Sequence, residues 1–61
     1  MNQDAHITEV NEARRIARAW AVRNGQSADR CEVLAEGWFE AGHDVCTSRA
    51  LEAYLSSRLK Y

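Results

Sequence analysis

Apolar residues recur at three- and four-residue intervals in three stretches of this 61-residue chain, and each stretch reads as one side of a helix. Val10, Ala13, Ile16, Ala17, Trp20 and Ala21 form the first stripe. Cys31, Leu34, Ala35, Trp38 and Ala41 form the second, which extends toward Val45, and Leu51, Tyr54, Leu55 and Leu59 form the third. The residues between the stripes supply starts and stops. Thr8, preceded by Ile7, reads as the first N-cap and Asn24-Gly25 as the first stop, because glycine accepts the left-handed conformation that closes a helix. Ser27 caps the second helix, with Asp29 in its first turn and Gly42 as terminator, and Thr47 or Ser48 caps the third. The predicted helices therefore cover about residues 8–24, 28–41 and 48–60. Residues 1–6 are polar and expected to fray.

Three helices in one short chain make the fold all-α, a small three-helix domain. Absence of proline and the low count of three glycines agree with this. The tight Gly25-Gln26-Ser27 connection predicts an antiparallel hairpin of the first two helices, against which the third packs. A chain of this length buries only about 60% of its unfolded surface. Self-association, as a homodimer, is the expected remedy for so thin a core.

Charge adds a feature that the apolar pattern does not contain. Glu32, Glu36, Glu40 and Asp44 recur every fourth residue, and on a helix each adjacent like-charged pair costs about 0.2–0.5 kcal/mol. Arg14, Arg15, Arg18 and Arg23 make the first helix basic, and Arg49, Arg58 and Lys60 make the third basic, while the whole chain carries a formal net charge of only -1. So small a net charge exerts no overall pull on nucleic acid or an anionic membrane. On a helical wheel the acidic row drifts across the side opposite its own apolar stripe, and the first helix's arginines lie mostly away from theirs. The expectation is that both charged faces point outward and that the row is not neutralised within the molecule. Asp44 is expected to leave the row and act in the turn before the third helix.

Candidate chemistry is sparse. Glu40-x-x-His43 has the spacing that projects two metal ligands from one helix, yet it occurs once and lies on the polar side. His6, Cys31, His43 and Cys46 lack the paired spacing of small zinc domains. There is no phosphate loop and no nucleophile motif. No enzyme, no cofactor and no metal site is expected. Cys31 and Cys46 fall too far apart along the second helix to pair readily, and are expected as reduced thiols. With no stretch approaching the ~20 apolar residues of a membrane span and no basic, then apolar start, a cytoplasmic location is expected.

Two functions compete. The favoured one is a non-enzymatic protein-interaction or regulatory module, an inhibitor or modulator that engages a basic partner through Glu32, Glu36 and Glu40, with Phe39 and Val33 beside them. Aromatic residues often anchor interfaces that have a polar rim. Trp20 and Trp38 fall on the stripes and are assigned to the core. The alternative is a small DNA-binding transcriptional regulator that contacts phosphates through Arg14, Arg15 and Arg18. Gly37 in mid-helix either admits close approach of a neighbour or is merely tolerated, at about 1 kcal/mol relative to alanine.

Overall fold

The computed structural model describes residues 6–42 and 46–59. It contains three helices, α1 (Val10–Asn24), α2 (Ala28–Glu40) and α3 (Ser48–Leu59), with α1 packed against both others. Sequence boundaries and observed boundaries agree to within two residues at each end. His43, Asp44, Val45, Lys60 and Tyr61 lie outside the described residues, so the Glu40-x-x-His43 spacing and the expected turn role of Asp44 fall partly or wholly outside them too.

The hairpin forms because its punctuation is chemically explicit. Gly25 adopts φ 67°, and the Gly25 and Gln26 amides both donate to the Ala21 carbonyl, closing α1. Ser27 Oγ then accepts from the Arg30 amide at 3.3 Å and opens α2. Gly42, at φ 72°, ends that helix with its amide on the Phe39 carbonyl. For α3 the cap is Thr47, whose Oγ1 accepts from the Ala50 amide at 3.2 Å. At the start of α1 the expectation fails. Glu9, not Thr8, is the N-cap, and it makes no side-chain cap bond. The Glu12 carboxylate instead reaches back to accept from the Thr8 amide at 3.2 Å, satisfying an amide just outside the helix and favouring its positive end.

Ala13, Ala17 and Ala21 form the buried seam of α1, facing Cys31, Ala35 and Trp38 of α2. Small side chains at consecutive turns let the two helices approach closely. Leu51 and Leu55 carry the buried side of α3. Trp38 is buried as expected, whereas Trp20 is only half-buried against the core edge, and Ala41 is exposed because α2 has already ended there.

One core residue comes from outside the helices. Ile7 is 2% exposed, and its amide donates to the Cys46 carbonyl at 2.6 Å while His6 and Thr47 form an antiparallel bridge. The entry to α1 and the entry to α3 are thus stitched together by extended backbone. His6 is held in this bridge, so the expected fraying does not extend to it. Burying the isoleucine side chain contributes about 1.5–3 kcal/mol, a large share for a domain of this size.

Candidate interaction surface

Helix α2 positions the acidic row, and the helix's own geometry divides it. Each four-residue step turns the side chain about 400°, which overshoots a full turn by about 40°. The row therefore winds around α2 instead of running straight. Glu32 falls at the flank of the buried stripe, on the edge toward α1, whereas Glu40 has rotated to the far side. On α1 the same step of about 40° separates Arg14 from Arg18 at the flank, while Arg15, about 100° on from Arg14, falls on the outer face.

The two flanks meet. Arg18 Nη1 donates to Glu32 Oε2 at 2.6 Å, and Arg14 Nη2 lies 3.6 Å from Glu32 Oε1. The Glu32 side chain is 19% exposed. This overturns the expectation that the row is not neutralised within the molecule: long guanidinium arms on one helix edge reach the carboxylate on the facing edge. The Arg18 hydrogen bond holds the Glu32 carboxyl below its ordinary pKa; desolvation, the next-largest effect, opposes it, and the positive charges of Arg18 and Arg14 add to the lowering. In return the same bond raises the Arg18 pKa.

Beyond Glu32 the row is different. Glu36 is half-buried and Glu40 exposed, and among the described residues neither they nor Asp29 form an ion pair. Val33 stands 68% exposed on this outer side. Gly37 shares that side, and a Cβ built there would meet nothing within 4 Å, so the glycine does not serve a close approach within the chain. Phe39 lies on the same flank as Glu32, about two turns further along α2, half-buried and packed against the core. Of the five expected partner-binding residues, the structure thus groups Val33, Glu36 and Glu40 and assigns Glu32 and Phe39 to the hairpin.

The expected nucleic-acid trio is also separated. Arg14 and Arg18 clasp Glu32, leaving Arg15 exposed on the outer face of α1. Arg23 pairs with Glu52 of α3 at 3.0 Å. Val22, 73% exposed on that same outer face, was not singled out in the sequence although the wheel sets it opposite the alanine seam.

Cys31, next to Glu32 on α2, is fully buried in the core, and burial raises its thiol pKa. No cluster of three potential metal-ligating side chains occurs among the described residues. No helix among them is long and apolar enough to cross a membrane. The chain matches no protein-family model, no curated protein and no solved structure.

Proposed function

We propose that this protein is a non-catalytic helical interaction module of the cytoplasm, which binds a basic protein surface through the outer side of α2 and self-associates. The observation that carries the reading is the division of the acidic row. Glu32 is held within the hairpin, whereas Glu36 and Glu40 flank the exposed Val33 without a cation of their own among the described residues. Carboxylates around an aliphatic side chain suit a cationic partner that also offers apolar contact, with charge governing encounter and the valine providing desolvated area. Asp29 extends the same face by one turn.

The DNA-binding alternative is less well supported. Phosphate contacts by Arg14 and Arg18 would have to displace Glu32, and each lost contact lowers the salt dependence on which such binding rests.

The test reverses only the outer carboxylates. Capture of a partner from source-cell extract by wild-type protein and by a Glu36→Lys/Glu40→Lys variant should differ sharply, with unchanged helicity by circular dichroism. Equal capture by the folded variant would remove the outer side of α2 from the function. Light scattering tests self-association separately, a monomeric mass at working concentration contradicting it.

A further inference from the structure

Five of the seven arginines of this protein fall into two groups that matter for a binding site. Arg14, Arg18 and Arg23 are each paired with a glutamate. Arg30 and Arg58, by contrast, form no ion pair with a carboxylate among the described residues, and they line the same open groove between the start of α2 and the end of α3. The groove has a volume of about 250 Å³ and is completed by Leu34, Ser57 and Leu59.

Its parts are complementary. Leu34 and Leu59, half-buried against the core, supply the smaller, apolar part of a mostly polar lining. The Arg58 guanidinium carbon sits 5.8 Å from the centroid of the Tyr54 ring, and Tyr54 is in turn set against Trp38 at 6.4 Å. An aromatic face restrains a guanidinium in this way while leaving its N–H edge available. Arg30 occupies the first turn of α2, where the helix adds positive potential. Ser57 brings a hydroxyl to the same lining.

From this arrangement we infer that the groove binds a small amphipathic oxyanion: a carboxylate or phosphate monoester head held by Arg30 and Arg58, on a short apolar body lying along Leu34 and Leu59. Planar guanidinium groups recognise both head groups through paired N–H donors. At about 250 Å³ and open on one side to solvent, the groove suits a small ligand that remains partly exposed. The site is separate from the outer side of α2 and does not depend on the function proposed for that side.

The test is a titration of the full chain with octanoate, octyl phosphate and octanol, followed by amide and arginine side-chain NMR shifts. At least one of the two anions should bind saturably, with shifts concentrated at Arg30, Leu34 and residues 57–59. Octanol, which has the body without the charge, should bind about ten-fold more weakly or not at all, and Arg30→Gln should weaken the anion by about ten-fold. Arg30 is exposed, so this variant should remain folded by circular dichroism; Arg58→Gln provides a second variant with the same expectation. Saturation by octanoate alone assigns a carboxylate head, and by octyl phosphate alone a phosphate. Non-saturating shifts with both anions, octanol binding as well as they do, or folded variants that bind like wild type would each overturn the site. Glu36→Lys/Glu40→Lys should leave this titration unchanged, which separates its failure from failure of the interaction surface.

Discussion

Glu32 and Glu40 have the same side chain, lie on the same helix and belong to the same repeating row, yet one closes the hairpin and the other faces solvent. Glu32 has Arg18 at 2.6 Å and Arg14 at 3.6 Å. Glu40 is exposed and forms no ion pair among the described residues. The difference is geometric: a repeat of four is not the period of a helix, so a row that looks straight in sequence crosses from one side to another within a few turns. The inner side of α2, with Cys31, Ala35 and Trp38 and with Glu32 at its edge, holds the fold. Its outer side, with Val33, Gly37 and Glu40, is exposed.

The comparison breaks most visibly at the inner side. Trp38 is 3% exposed, and Trp38→Ala should cost about 3–5 kcal/mol. A chain of this length has a total stability of roughly 3–9 kcal/mol, so chemical denaturation should find this variant largely unfolded or close to it. On the outer side the sign should reverse. Gly37→Ala meets open space in a helix interior and should stabilise by about 0.5–1 kcal/mol, read as a higher denaturation midpoint. The same substitution at Gly25, held at φ 67°, should instead destabilise.

Glu32→Gln sharpens the comparison through pH. In the folded chain the Glu32 carboxyl is held below its unfolded value, so the proton binds the unfolded state more readily. Its stabilising contribution is full above the unfolded pKa of about 4.3 and is lost as pH falls through the lower folded value. Wild type should therefore exceed Glu32→Gln in thermal midpoint at neutral pH, with the gap closing in acid. The smallest effect belongs to Glu40→Gln. Removing a negative charge from the carboxyl end of α2 should leave stability unchanged or raise it by a few tenths of a kcal/mol, measured by the same denaturation.

Much of the fold is legible in the sequence because it depends on local rules. Stripe spacing locates all three helices; Ser27 and Thr47 cap with their hydroxyls as expected, and Gly25, lacking a Cβ, takes the left-handed stop. Ile7 is not legible in that way. It enters the core because residues distant in sequence pair as extended backbone, His6 with Thr47 and Ile7 with Cys46, and no periodicity within either segment encodes the partner. The candidate site is half legible. The carboxylates and their drift around the wheel are legible, but which of them comes within reach of an arginine depends on how α1 and α2 pack, and that packing places Glu32 between Arg14 and Arg18. The groove of Arg30 and Arg58 needs tertiary structure altogether, since α2 and α3 supply one guanidinium each.

The division of the acidic row is tested most directly by the pKa of the Glu32 side-chain carboxyl, followed by carbon-13 NMR in wild type and in Arg18→Gln. A row split by an internal clasp predicts a Glu32 value below the ordinary carboxylate range that moves upward when the Arg18 donor is removed. An ordinary value in wild type, unmoved by Arg18→Gln, would contradict the clasp and return Glu32 to the outward surface.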